Sequence, residues 1–358
     1  MDFALSEEQT ILQDTVREYL RQHCTLESVR LNVQDSITLD ADIARGLLDL
    51  GLPGIVVPEE FGGAGLGYLD AALVAEALGE AIAPIPFLGP NVVAPYALQS
   101  AGSDQQQADW LPKIASGNAV FGIAFSASSS SRSDGSTSVD SGQINGEHTF
   151  VIDANDATQF LMASGDSEIY LVDANDVELT LLRTIDRTRS VAQITMNGTP
   201  CELLPGSSSN GALRRSIAVG RIMLAADSLG AAQSMLDKSV AYAKERKQFN
   251  RVIGSFQAVK HMCAEMAAEL EPCKSLIWYA AHSVLAIPEE TVVVACHAKA
   301  HLSEVAQFVA RKSTEVHGGM GFTDLLGLHY WFKRIGLNRQ LLGSPDEVRE
   351  EAAQAQDW

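Results

Sequence analysis

Apolar residues in the first 119 positions recur at helical spacing. Ser6 precedes an acidic turn and then a periodic apolar stripe, which predicts an N-capped amphipathic helix. The same spacing predicts helices over 43–50 and 68–81, the second ended by Pro84-Ile85-Pro86. Between them, Ile55-Val56-Val57-Pro58 indicates a short extended piece. The glycine-rich loop after it lacks the pattern of a nucleotide-binding loop.

The pattern changes between Val120 and about Leu204, where Ser, Thr, Gly, Asn and Asp separate short apolar runs. These runs have the length and spacing of strands. The clearest are residues 121–124, 149–152, 159–162 and 168–172. The serine-rich stretch from Ser126 to Ser136 is predicted to be a polar loop. We therefore expect an all-β insert between two helical segments.

Helical spacing returns at Ala212 and continues, with breaks, to the C terminus. The long periodic runs are expected to pack as antiparallel neighbours in a bundle, and they span 217–244, 257–286 and 289–316. A chain of 358 residues is also too long for one simple core. We predict an α+β multidomain protein with an N-terminal helical domain, a middle β-barrel-like domain and a C-terminal four-helix-bundle-type domain. Their predicted ranges are 1–119, 120–208 and 209–358.

Composition and charge narrow the class of protein. An apolar content of 46% with 20% charged residues is typical of a soluble globular chain. The net charge of −19 argues against a nucleic-acid or anionic-membrane partner, because both bind a basic surface. The five cysteines are scattered without zinc-type spacing, so we predict no metal site and a reduced interior. No signal peptide or bilayer-spanning run is evident, and a cytoplasmic location is expected.

The stretch from Arg246 to Gln257 is the first candidate binding site. It ends one helical run, makes a glycine-containing bend and begins the next, so Arg246 and Gln257 are expected to flank one small volume. A guanidinium fork suits a diphosphate, and an amide can bind a phosphate or a polar ring edge. On spacing alone, a charged helix end with Phe249 and Phe256 in the core is the more common arrangement.

This stretch resembles the flavin-pyrophosphate segment of the acyl-CoA dehydrogenase family, Arg-x-x-Phe-Gly with Phe-Gln following. Arg246, Phe249, Phe256 and Gln257 match that motif, and Asn250 replaces its Gly. The order of elements and a Pro-Glu-x-x-Gly-Gly loop at 58–63 also resemble the family, and the resemblance covers nearly the full length. It implies the family's fold, FAD as cofactor, and loss of an α-proton and a β-hydride from an acyl-CoA.

A second motif lies at the end of the third long run, at 315–322. On its own it is consistent with a glycine helix cap and His317 near the last carbonyls. It resembles the family's Gln-x-x-Gly-Gly-x-Gly, in which the bare backbone lets the adenosine diphosphate of FAD approach. Gly318 and Gly319 match, whereas Glu315 replaces the Gln. The resemblance therefore adds these three positions to the expected cofactor site.

Neither position that supplies the catalytic base in this family carries a carboxylate here. The commoner position, the Glu of Tyr-Glu-Gly-Thr, is matched by Leu342, and the alternative position on the first long C-terminal helix is matched by Gly220. Arg221 matches the family's arginine and is expected either to line the acyl pocket or to pair with a carboxylate. Asp346 and Glu347 lie past the base in the family's register. The resemblance thus predicts no catalytic residue in this chain.

The loop that holds the flavin ring in this family is also altered. Its Thr-Glu-Pro-Gly-Ala-Gly-Ser-Asp is replaced by residues 124–129, Ala-Phe-Ser-Ala-Ser-Ser, and its Trp-Ile-Thr by Phe150-Val151-Ile152. In the family, the ring-holding loop and the base come from one subunit and the diphosphate-binding motifs from its neighbour. This chain has lost the first set and retains the second. That pattern resembles the small subunits of heteromeric acyl-CoA dehydrogenases that degrade steroid side chains.

The favoured interpretation is a flavoprotein oxidoreductase subunit of lipid metabolism. It would complete the FAD site of a homologous partner subunit in a heterotetramer. Its expected partners are an acyl-CoA substrate, that subunit, and electron-transfer flavoprotein or a similar acceptor. The alternatives are a self-sufficient homotetrameric dehydrogenase with an unusual base such as Asp346, a non-redox ligand-binding or scaffolding relative, and a flavin monooxygenase of the same fold.

Overall fold

A computed structural model of the chain describes residues 4–129, 137–165 and 167–358. Within that part of the chain, helices come first, a sheet follows, and helices return. The N-terminal helices are α1 Glu7–His23, α2 Leu26–Asp35, α3 Ala41–Asp49, α4 Tyr68–Ala81, α5 Ala94–Ala101 and α6 Asp104–Ala115. Side-chain caps begin several of them, and Ser6 and Gln9 form the capping box of α1. The predicted helix over 68–81 is confirmed by α4.

The extended piece predicted at 55–58 is wrong. Leu52–Gly54 forms a 3₁₀ turn, and the chain continues through Val57 in further turns. Ile55, Val56 and Val57 are all buried. The apolar run therefore reflects the burial of a compact turn, a pattern that periodicity alone does not distinguish from a short buried strand.

The middle segment is a mixed sheet. Its strands are β1 Phe121–Ala124, β2 Thr137–Asp140, β3 Gln143–Ile152, β4 Gln159–Ser164, β5 Glu168–Asp173, β6 Glu178–Leu181, β7 Val191–Pro200 and β8 Glu202–Leu203. The strand order is β6-β7-β3-β1-β4-β5-β8, with β2 paired to β3; β1 and β4 are parallel and the other pairs are antiparallel. Ser126–Ser128 forms a 3₁₀ turn, and residues 130–136 of the predicted serine loop lie outside the described residues.

The C-terminal segment is built on three long helices. Its elements are α7 Ser207–Asn210, α8 Ala212–Glu245, the hairpin strands β9 Lys247–Gln248 and β10 Arg251–Val252, α9 Gln257–Ala286, α10 Thr291–His317, α11 Leu328–Asn338 and α12 Pro345–Gln354. Helix α8 packs against α4, α9 and α10 and is buried along most of its length. A side chain at Gly230 of α8 would collide with the α4 backbone at Glu76, so glycine permits this close crossing. The predicted fold class is confirmed, while the exact domain boundaries stay predictions.

One buried arginine joins the three segments. The Arg334 guanidinium of α11 donates to Asp186 in the β6–β7 connection at 2.7 Å and to Asp227 of α8 at 3.1 Å. It also donates to the Ala83 carbonyl, just after α4, at 3.1 Å. Asp227 receives a second ion pair from Arg189 at 2.6 Å. The relative placement of the segments therefore depends on a polar network with little access to water.

A buried lysine lies near this network and makes stability depend on pH. Lys299 of α10 donates to the Asn338 carbonyl. Burial, with Arg221 and Arg339 nearby, lowers the pKa of Lys299 to about 7. Above pH 7 the folded chain releases this proton, whereas the unfolded chain keeps it up to a pKa of about 10.4. Between those two values the free energy of unfolding therefore rises with pH.

Replacing this lysine by methionine should remove that pH dependence. From pH 6 to pH 9, we expect the free energy of unfolding of the wild type to gain on the order of 2 kcal/mol relative to Lys299→Met, because the variant buries no ammonium at pH 6. Urea titrations at the two pH values measure the difference. Lys333→Met, at an exposed position, is the control and should follow the wild type. Parallel pH profiles for wild type and Lys299→Met would contradict the assignment.

Among the described residues, no helix is both long and apolar enough to cross a lipid bilayer.

Candidate functional site

The Arg246–Gln257 stretch forms a tight connection between two long helices. Arg246 follows the last residue of α8, and the hairpin β9–β10 folds back so that the Ile253 amide donates to the Arg246 carbonyl at 2.8 Å. A Cβ atom at Gly254 would lie 2.8 Å from the Ala243 carbonyl oxygen, so the chain passes this close only with glycine. Gln257 is then the first residue of α9. The structure thus brings the two ends of the predicted motif to one end of the bundle.

The polar groups of this connection are open to solvent. Arg246 and Gln257 are exposed, and the Arg246 guanidinium makes no hydrogen bond or ion pair to a described residue. Helix α9 begins without a side-chain cap, which leaves its first amide groups available to an anion. Phe249 is 86% exposed, and its ring makes a T-shaped contact with Phe256, at 6.1 Å between ring centroids. The alternative that buries Phe249 in the core is therefore wrong.

The glycine motif lies at the same end of the bundle. The ring of His317, at the end of α10, stacks on Tyr242 of α8 at 4.6 Å, which places Gly318 beside the last turn of α8. Gly318 has φ +58° and ψ −140°, a conformation that other residues rarely adopt. Around Gly319, no described atom lies within 4 Å of the place that a Cβ would occupy. Glu315 is exposed and pairs with Lys312 at 3.2 Å. A guanidinium, a helix N terminus and bare glycine backbone together suit a diphosphate.

The two predicted base positions meet at one point. A Cβ atom at Gly220 would lie 2.5 Å from Cδ1 of Leu342, although the two residues are far apart in sequence. Val93, from a π-helical turn over Leu88–Val93, closes the same space at 3.4 Å. Leu342 is 3% exposed. A hydrocarbon side chain therefore fills the place where either glutamate would lie.

The turn that carries Leu342 keeps an unusual backbone. Leu342 has φ +56° and Gly343 has φ +102°, and a left-handed conformation is rare for a bulky residue. The buried Arg221 guanidinium holds this turn, because its Nε donates to the Leu342 carbonyl at 2.8 Å. Its Nη1 pairs with Glu351 of α12 at 2.7 Å. Of the two roles expected for Arg221, this placement matches pairing with a carboxylate.

Leu342 also lines a cavity of about 610 Å³. Its lining includes Ser126, Phe150, Arg183, Leu337 and Gln340, and none of its described lining residues is acidic. The side chain of Asp346 is 95% exposed and contacts Arg349 at 3.2 Å. Glu347 accepts a hydrogen bond from the Ser344 amide in the capping box of α12. Neither carboxylate belongs to the cavity lining.

The segments that replace the family's ring-holding residues do meet at this cavity. Ser126 Oγ donates to the Phe150 carbonyl at 3.0 Å, and Phe150 itself has φ +55°. The sequence pattern did not single out Arg183, which also lines the cavity. An isolated arginine in an irregular loop carries no periodic signal, so only the tertiary structure could identify it. The residues present thus suit the diphosphate of FAD. The residues that hold the flavin ring in the family, and the carboxylate that acts as its base, are absent.

Comparisons with known proteins agree with this architecture. Residues 6–118 match the family model described as the N-terminal domain of acyl-CoA dehydrogenase, and residues 211–355 match that of its C-terminal domain. The chain is 31% identical to acyl-CoA dehydrogenase IpdE2 of Mycobacterium tuberculosis over 352 residues, 96% of this chain and 95% of that protein. Similar solved structures include the ChsE4-ChsE5 complex from the same species, with 26% identity, a TM-score of 0.91, and coverage of 100% of this chain and 99% of the other. The Tcur3481-Tcur3483 steroid ACAD G363A variant has 26% identity and a TM-score of 0.88, with 98% of both chains covered. This chain therefore belongs to the acyl-CoA dehydrogenase family.

Proposed function

We propose that this chain is the base-lacking subunit of a heteromeric, FAD-dependent acyl-CoA dehydrogenase. The observation that supports the proposal most directly is that Gly220 and Leu342 pack against each other in an apolar environment. Because neither position carries a carboxylate, neither compensates for the loss of a base at the other. A homologous partner chain would supply the catalytic glutamate and the ring-holding loop.

The retained residues have a defined task in such an assembly. When bound, FAD supplies the acceptor for the substrate's β-hydride. Arg246 would donate its guanidinium fork to the diphosphate, and the exposed start of α9 would add backbone amides. Gly318 and Gly319 would let the adenosine end approach without steric conflict. These groups bind and orient the cofactor, and no proton transfer is assigned to this chain.

Two relatives support the choice of substrate class and assembly. One similar structure is that of the Tcur3481-Tcur3483 steroid ACAD variant, and another is that of the ChsE4-ChsE5 complex. We therefore propose a steroid-derived acyl-CoA thioester as substrate and a heterotetramer as the assembly. Electron-transfer flavoprotein or a similar carrier is the proposed acceptor, and the cytoplasm is the proposed location.

Arg246→Ala tests the cofactor role directly. In the complex with the partner chain, we expect it to weaken flavin retention by about 2–4 kcal/mol, because a charge-assisted bidentate contact is lost. Arg246→Lys should restore only part of the flavin affinity, since lysine keeps the charge but lacks the bidentate guanidinium. Flavin absorbance after dialysis against graded FAD concentrations gives the affinities.

A control at the other end of α8 separates cofactor binding from a general charge effect. Arg214, exposed near the start of α8, lies 3.7 Å from Glu351. Arg214→Ala should retain flavin as the wild type does. Equal flavin content in the Arg246→Ala and wild-type complexes would remove Arg246 from the cofactor site.

A further inference from the structure

A second cavity, of about 370 Å³, lies between the N-terminal helices and the sheet. Ser36 and Thr38, from the α2–α3 connection, form one wall, and the β6–β7 connection forms the other. We call it the arginine cavity, because Arg183, Arg187 and Arg189 all line it. It adjoins the 610 Å³ cavity, with which it shares residues 182–184. Its volume falls within the range of about 300–1,000 Å³ that is common for small-molecule sites.

The arginine cavity has more positive charge than its own carboxylates balance. Arg183 makes no hydrogen bond or ion pair to a described residue, and the described side-chain partner of Arg187 is the Ser36 hydroxyl at 2.8 Å. The nearest acidic lining residue, Asp186, is already committed to Thr188 and Arg334. In a chain of net charge −19, such a local surplus is unexpected. This local excess of positive charge indicates an anion-binding site.

Two buried polar atoms in the lining lack a partner among the described residues. The Arg189 side chain is 10% exposed, and one Nη donates to Asp227, but its Nε has no acceptor. The Thr38 hydroxyl is likewise buried without a partner. A buried donor left unpaired costs about 1–3 kcal/mol. Both atoms are covered by neighbouring atoms, so an anion in the cavity could accept from them only after the side chains move.

We propose that the arginine cavity binds the phosphate groups of a small organic phosphate such as a phosphorylated nucleoside. The Arg183 and Arg187 guanidinium groups have no carboxylate partner among the described residues. Together they offer more N–H donors than the two oxygens of one carboxylate can accept, and a diphosphate offers more acceptor oxygens. Leu182 and Val191 supply apolar contacts for an organic moiety. The site is separate from Arg246, because none of its described lining residues lies in α8 or in the Arg246–Gln257 connection. The proposal therefore does not depend on the proposed cofactor role.

Titration calorimetry on the purified full chain, with ADP and with inorganic pyrophosphate, tests this site. We expect saturable binding of both, weakened by added salt because the contacts are ionic. Arg187→Ala should lower both affinities at least tenfold. Arg45→Ala, which removes an exposed arginine from α3, is the charge-matched control and should bind as the wild type does. Unchanged circular dichroism in both variants verifies that the fold is retained.

Arg246→Ala separates this site from the cofactor site, because ADP is also part of FAD. We expect this variant to keep its ADP binding. Binding lost in Arg246→Ala and kept in Arg187→Ala would place the anion at the end of α8 and overturn the proposal. A wild-type chain without saturable binding of either probe, or an Arg45→Ala chain as weak as Arg187→Ala, would overturn it as well.

Discussion

The chain purified without a partner subunit should be nearly colourless and should not dehydrogenate acyl-CoA thioesters with an artificial electron acceptor. It keeps residues suited to the diphosphate of FAD, but residues 124–129 lack the Glu-Pro-Gly core of the family's ring-holding loop. A flavin held only by its diphosphate end is weakly retained. Visible absorbance after gel filtration and a dye-reduction assay measure the two properties.

Installing a carboxylate should not rescue this inactive chain. Leu342→Glu or Gly220→Glu would restore a potential base, yet proton abstraction without a positioned flavin leaves the hydride no acceptor. Gly220→Glu should also destabilise the fold, because its Cβ would collide with Leu342. Gly220→Glu combined with Leu342→Ala relieves that collision and is the control for folding. Turnover in the lone chain carrying either glutamate would favour the self-sufficient dehydrogenase.

Asp227→Ala should destabilise the fold by about 3–5 kcal/mol. The Asp227 carboxylate accepts hydrogen bonds from Arg189, Arg334 and Asn338, and its removal leaves two buried guanidinium groups short of negative charge. Burial alone would raise the pKa of Asp227, but the two arginines outweigh it and hold the pKa below its usual value. Urea unfolding at neutral pH measures the loss.

Two further variants make this prediction specific. Asp237→Ala, at an exposed position on the same helix, should change stability by less than about 0.5 kcal/mol. Asp227→Ala combined with Arg189→Met should recover part of the loss, because Arg189, whose described ion-pair partner is Asp227, is then removed together with it. If Asp227→Ala is no less stable than Asp237→Ala, the network does not hold the segments together.

The two long helices after the hairpin could be predicted from the sequence to within two residues, whereas the predicted run 217–244 begins five residues after α8 does. The run 257–286 coincides with α9, and 289–316 lies within two residues of α10. Strand β6 did not stand out, because it is short and mostly exposed and so carries no apolar run. The apolar run at 55–58 predicts an extended piece although the chain forms a turn there, because burial, and not strand geometry, determines its composition.

The chemistry of the site could be predicted one motif at a time, but its geometry could not. The sequence placed a leucine and a glycine at two base positions more than a hundred residues apart. That they occupy one point follows only from the packing of the Leu342 turn on α8. The two ion pairs that Asp227 makes with Arg189 and Arg334 likewise join distant segments, and no local sequence pattern predicts them.

Flavin counting on the co-expressed complex tests the central claim most directly. The chain is produced with a homologous partner that carries the Glu-Pro-Gly loop and a catalytic glutamate, and the purified complex is analysed for chain ratio and FAD content. We predict both chains in equal amounts, one FAD for each partner chain, and no additional FAD for the copies of this chain. A homo-oligomer of this chain alone that carries one FAD per chain and turns over acyl-CoA would contradict the account.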